Sequence, residues 1–206
     1  ALILGLARHI VHENTALRNN GPWQSSLGIG LKDKQLGILG LGKIGTKVAQ
    51  VGLAFGMKVA AWSQNLTKEK TNETGIELAC SLENLLKNSD FITIHLVLSE
   101  RTKNLIDAHE LRFMKKTAFL INTSRAQIVN QSALVEALKN KQIAGAGLDV
   151  FEHEPLPFDD AIRTLPNVLA TPHLGYVTDQ NYRIYFKEAI ENIAAFLEGR
   201  ELRKFT

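Results

Sequence analysis

Apolar and polar positions alternate along this chain in two different rhythms. Short, nearly unbroken apolar runs, the mark of strands buried on both faces, are separated by segments whose apolar residues recur every three or four positions. The runs predict strands over residues 35–39, 58–62, 91–96, 118–124, 143–151 and 167–170, with a brief further strand over 76–79. Helices are predicted over 43–55, closed by Gly56, and from Ser81, a natural N-cap. Others follow over 107–114 and 132–139, and a long one over 179–197 ends at Gly199. A stripe of Ile3, Leu6, Ala7, Ile10 and Leu17 predicts one amphipathic helix at the start, followed by the turn-rich link RNNGPWQSS at 18–26. EPLP at 154–157 reads as a loop. Strands that alternate with helices imply an α/β protein, a doubly wound parallel sheet of six or seven strands with helices on both faces.

Composition narrows the class of protein. With 206 residues, 45% hydrophobic and 22% charged, the chain can bury a core without staples. Its one cysteine, Cys80, excludes an internal disulfide and fits a reducing compartment, so a cytoplasmic setting is expected. A net charge of +3 with no basic run among aromatics is too mild for a nucleic-acid partner. No stretch reaches the roughly 20 apolar residues of a membrane span. The first residues resemble a signal peptide only briefly, because Arg8, His9 and Glu13 interrupt them. Since the chain begins at Ala1 rather than Met, we expect a fragment of a longer protein.

The run LGILGLGKIG sets Gly40, Gly42 and Gly45 directly after a strand and before a helix. The first glycine allows a tight turn, the second a close approach of backbone to a pyrophosphate, and the third close packing of helix on strand. The helix N-terminus adds N–H groups and positive dipole, so Lys43 and Ile44 count with the glycines as dinucleotide-binding positions. This points to a Rossmann-type sheet holding NAD or NADP.

Ligands of such sheets sit beyond the carboxyl ends of the strands, which filters the candidates for chemistry. Arg125 follows NTS, Asp149 ends GLDV, Glu154 lies in DVFEHEP and His173 follows NVLATP. Thr123 and His95 also end strands on that edge and are candidate cofactor contacts, although His95 reads equally as a polar strand end. His9, His12, His109 and His153 fall on helix or loop surface, and no metal-ligating residue is assigned. An Arg, a His and a carboxylate around a nicotinamide fit hydride transfer to a carbonyl. His173 would give the proton to the developing alkoxide. Glu154 beside it would favour the imidazolium, and Arg125 would grip a substrate carboxylate with paired hydrogen bonds.

Taken in order, GLGKIG, NTSRAQIVN, GLDVFEHEP and TPHLGYVT resemble the D-isomer-specific 2-hydroxyacid dehydrogenases over nearly the whole chain. The resemblance implies that Arg125 binds the substrate carboxylate and carbonyl, that Glu154 and His173 form the acid–base pair, and that Asp149 lies by the nicotinamide carboxamide. Glu rather than Gln beside the His speaks against the formate dehydrogenase branch. Ala126-Gln127, Asn130 and Tyr176 depart from the usual pattern, and Tyr176 narrows the entrance near His173. The implied activity is reduction of a 2-oxo acid to a D-2-hydroxy acid. An alternative is the role of the C-terminal-binding-protein corepressors, similar NAD-sensing dimers that recruit partners. A further alternative is a hydrolase or isomerase using bound NAD internally. The resemblance also implies that residues 1–206 are the dinucleotide-binding domain with flanking helices, and that about a hundred residues of an N-terminal substrate domain are absent. Such a chain is expected to bind cofactor yet turn over substrate poorly. A homodimer through residues 1–26 is implied too, with Trp23 either reaching toward the partner or packing on its own domain.

Cofactor choice turns on VAAWSQN at 59–65. About 20 residues after the glycines, a carboxylate usually holds the NAD ribose and repels the NADP 2′-phosphate. Ser63 stands there, followed by Gln64 and Asn65, any of which bonds a hydroxyl or a phosphate. No Arg follows the strand, and only Lys68 and Lys70 lie near, so relaxed or NADP-leaning specificity is expected.

Overall fold

The apolar runs become seven strands: β1 (Gln35–Leu39), β2 (Lys58–Trp62), β3 (Glu77–Leu78), β4 (Phe91–Ile94), β5 (Phe119–Asn122), β6 (Gly145–Leu148) and β7 (Val168–Ala170). In a computed structural model, which describes residues 1–203, they form one parallel sheet in the order β3-β2-β1-β4-β5-β6-β7. The chain winds outward from β1 to β3, then returns to the other side of β1 to lay down β4. That reversal opens a crevice at the carboxyl ends of β1 and β4, where an open α/β sheet binds its ligand.

The helices are α1 (Leu2–Ala7), α2 (Ile10–Arg18), α3 (Lys43–Ala54), α4 (Lys68–Asn72), α5 (Leu82–Asn88), α6 (Ala108–Leu111), α7 (Gln131–Lys139) and α8 (Asp179–Leu197). Side chains of the buried strands alternate between two cores. Leu36, Ile38, Phe91, Phe119 and Ile121 face one, which α1 and α3 cover with Leu6, Ala7 and Ala49. Leu39, Ile92, Ile94 and Leu120 face the other, which α5, α6 and α7 cover. Phe91 and Phe119, opposite each other across β4 and β5, stack at 5.4 Å. Burial on both faces explains why these strands read as continuous apolar runs rather than alternating ones.

Some local expectations fail, for identifiable reasons. The single amphipathic helix at the start is two helices, because His9 takes a left-handed φ of 49° and redirects the chain. The stripe loses its phase there, leaving Ile10 52% and Leu17 60% exposed. The helix expected over 107–114 contracts to α6, since Phe113 and Met114 donate back only three residues, to Glu110 and Leu111. The brief strand at 76–79 is two residues long, and α4 has no counterpart among the expected helices. Most predicted strands also stop early, leaving His95, Ser124 and Asp149 in the loops beyond their ladders.

Residues 1–172 form one compact unit, and a second begins at His173. In the second, Thr178 caps α8 by accepting from the Asn181 N–H at 3.2 Å. Arg203 pairs with Glu188 at 2.7 Å and with Glu191. No helix among the described residues is long and apolar enough to cross a membrane.

Candidate active site

The glycine loop joins β1 to α3 at the crevice. Gly40 has φ +97°, and a Cβ there would lie 2.8 Å from the His95 carbonyl oxygen. Gly45 is more constrained still: its Cβ would sit 2.0 Å from the Gly40 oxygen. Gly42 has no atom within 4 Å of where its Cβ would stand, so the space beside it is open. No side chain caps α3, which leaves its first-turn N–H groups to an external anion. Two crowded glycines around one open one make a cradle that fits a dinucleotide pyrophosphate.

Two clefts extend from this loop. One, of about 410 Å³, is lined by Gly40, Gly42, Ser63, Asn65, Lys70 and His95, among others. Its neighbour, of about 560 Å³, shares Ser63 and Asn65 and adds Trp62, Gln64, Arg101 and Leu105. Thus the polar end of β2 and His95 do border the glycine loop. The His95 ring is hydrogen-bonded to Thr93 Oγ1 at 3.0 Å, and burial pushes its pKa down to about 4. It therefore presents a neutral imidazole at physiological pH.

Beyond β5 the chain turns on one buried side chain. The Asn122 amide accepts from the Ser124 N–H and donates to the Arg125 carbonyl, both at 3.0 Å. Ser124 in turn donates to the Leu96 carbonyl at 2.6 Å, tying this loop to the one after β4. The Arg125 guanidinium is exposed and donates to the Ser124 carbonyl at 2.7 Å. Thr123, beside it, is exposed as well.

Asp149 follows β6 and is 4% exposed, accepting from the Thr171 hydroxyl. Glu154 closes the next turn, its Oε1 accepting from the Phe151 N–H at 2.9 Å. The first unit therefore carries the glycine loop, Arg125, Asp149 and Glu154 on loops that leave the carboxyl edge of one sheet. His173 follows β7 as the first residue of the second unit and takes φ 55°. Its ring meets Tyr176 edge to face, 5.7 Å between centroids. Asn122, Ser124, Thr171 and Arg101 join the site without having been singled out as candidates, although the first three lie inside the motifs NTSRAQIVN and TPHLGYVT.

Residues 1–175 match the sequence profile of the D-isomer specific 2-hydroxyacid dehydrogenase, NAD binding domain. A glyoxylate reductase of Aeropyrum pernix is 42% identical over 97% of this chain and 62% of its own length. A glyoxylate/hydroxypyruvate reductase B of Enterobacter agglomerans is 39% identical over 97% of the chain and 63% of its own. The crystal structure of a phosphoglycerate oxidoreductase from Vibrio cholerae superposes with a TM-score of 0.91 at 36% identity, covering 96% of this chain and 64% of that one. The chain thus spans a little over three fifths of the length of these relatives.

Proposed function

This chain belongs to the D-isomer-specific 2-hydroxyacid dehydrogenases, as their NAD-binding domain, and from that premise we propose that the protein reduces a 2-oxo acid to its D-2-hydroxy acid. The observation that carries the reading is the glycine cradle at the sheet's reversal point, with Arg125, Asp149 and Glu154 on neighbouring loops of the same edge. When bound, the nicotinamide supplies the hydride. The protein's own residues do the rest. Arg125 holds the substrate carboxylate and steadies the carbonyl oxygen through its forked donors. His173 takes the role of proton donor to the developing alkoxide, and Glu154 that of the carboxylate in the acid–base pair. Asp149 orients the cofactor's carboxamide, its own position fixed by Thr171.

The names of the relatives favour a small substrate of the glyoxylate or hydroxypyruvate kind. Ser63, Gln64 and Asn65 in place of a ribose-binding carboxylate favour NADP alongside NAD. A homodimer through residues 1–26 and a cytoplasmic setting, consistent with the exposed thiol of Cys80, complete the reading. It is tested by steady-state kinetics of the intact protein with a panel of 2-oxo acids against NADH and NADPH. Turnover of glyoxylate or hydroxypyruvate is the expected result, and no turnover of any 2-oxo acid with either cofactor would overturn it.

A further inference from the structure

The two clefts beside the glycine loop meet at Ser63 and Asn65, and neither has a carboxylate in its lining among the described residues. An Asp or Glu there would repel a phosphate on the adenosine ribose, so its absence permits one. Permission is not recognition, however: a dianionic phosphate needs a cation. His95 does not supply it, because burial keeps its ring neutral down to about pH 4. In the cleft that contains Gly40 and Gly42, the only side chain with a fixed positive charge among the described residues is Lys70.

Lys70 comes from α4, the short helix after β2. Residues two apart on a helix are separated by a rotation of about 200° around its axis and so face nearly opposite sides. Lys68 and Lys70 therefore cannot both face the crevice, and it is Lys70 that lines it. Thr67, which also lines the cleft, caps α4 by accepting from the Lys70 N–H, fixing the helix's first turn against the pocket wall. The one acid in that turn, Glu69, is tied to the cap: its carboxylate accepts from its own N–H and from the Thr67 hydroxyl, which hold its pKa below the usual range. Glu69 has no part in the cleft lining.

We propose that Lys70 is the residue that selects NADP, binding the 2′-phosphate from α4 while Ser63 and Asn65 complete the site from the end of β2. The inference rests on the dinucleotide reading given above and adds to it a residue outside the strand end where such selection is usually sought. Arg101, in the adjoining cleft, is the rival cation.

The test is calorimetric titration of the 206-residue chain with NADP+ and NAD+, for the wild type and for the Lys70→Gln and Arg101→Gln variants. We expect Lys70→Gln to weaken NADP+ by about tenfold, the scale of one charge-assisted contact, while NAD+ changes by less than about twofold. The wild-type preference for NADP+ should also shrink as salt is raised. The role of Lys70 is overturned if NADP+ affinity survives Lys70→Gln, or if the selective loss falls on Arg101→Gln. A wild-type chain that binds neither dinucleotide would instead overturn the cofactor reading itself, so the two failures are distinguishable.

Discussion

Thr93 and His95 share a hydrogen bond of 3.0 Å at the carboxyl end of β4, beside the glycine loop. Burial lowers the His95 pKa from 6.5 to about 4, so the native state resists taking up a proton that the unfolded chain accepts. As pH falls below 6.5 the unfolded state binds more protons, and native stability is lost until about pH 4. Above pH 7 this group contributes no slope. Between pH 7 and pH 5 the loss attributable to it is about 2 kcal/mol. Urea unfolding of the wild type and His95→Gln at both pH values measures it directly. The variant should lose clearly less stability than the wild type on acidification, and equal losses would show that His95 is not the group responsible.

A second prediction concerns Asn122, whose amide is spent holding the Ser124 N–H and the Arg125 carbonyl. At 2% exposure, its removal leaves those groups short of partners. Asn122→Ala should cost about 1–3 kcal/mol of stability. It should also lower kcat more than it raises KM, because the Arg125 loop loses its alignment rather than its charge. Thermal unfolding and steady-state kinetics of the intact protein separate the two effects, and unchanged kcat would confine Asn122 to a structural role.

These cases mark what the sequence discloses. Phe91–Ile94 and Phe119–Asn122 were legible because strands buried on both faces leave continuous apolar runs, and the glycine loop because its spacing is tied to one backbone geometry. The break at His9 was not, since a single left-handed residue leaves no periodic trace. Nor was the contact of Ser124 with the Leu96 carbonyl, which joins loops far apart in sequence. Which of Lys68 and Lys70 faces the crevice depends on the rotation of a helix little more than one turn long, which too few residues encode.

The three glycines should respond differently to the same methyl group. Gly45→Ala drives a Cβ to 2.0 Å from the Gly40 oxygen and should destabilise the fold by about 1–3 kcal/mol or more. Gly42, at φ −86°, accepts alanine without strain and without protein atoms in the way. Gly42→Ala should therefore unfold like the wild type yet bind NAD+ on the order of tenfold more weakly, as its methyl intrudes on the pyrophosphate. Calorimetry of both variants decides it. Unimpaired NAD+ binding by Gly42→Ala would move the pyrophosphate elsewhere.

Kinetics should separate the proposed roles of Arg125 and His173. Arg125→Ala in the intact protein removes both grip and alignment, so KM rises and kcat falls together. Loss of a general acid costs about 10²- to 10⁴-fold, and His173→Ala should show it mainly in kcat. Tyr176 meets the His173 ring edge to face, and a positioning role for it follows if His173 is the proton donor. Tyr176→Ala should reduce kcat more mildly and shift the pH profile, whereas Tyr176→Phe, which keeps the ring, should restore both. A His173→Ala variant with full kcat would remove His173 from the mechanism.

The segment after α2 carries the last prediction. Trp23 is 79% exposed and Leu27 92%, so packing of Trp23 on its own domain, one of its two expected placements, is not what the fold adopts. The segment is nonetheless held in place: Ser25 and Ser26 donate to the Glu13 carboxylate, and Ser25 also bonds His12 at 3.1 Å. Ile10, Val11 and Leu17 of α2 add exposed apolar surface beside it. Exposed apolar side chains on an ordered arm are the kind of surface that a protein interface buries, which motivates a test of self-association. In multi-angle light scattering the wild-type chain should show twice its monomer mass. Trp23→Ser combined with Leu27→Ser should return it to the monomer without lowering cofactor affinity, because neither residue lines the clefts beside the glycine loop. A wild-type chain that stays monomeric at tens of micromolar would assign this apolar arm to some contact other than a second copy.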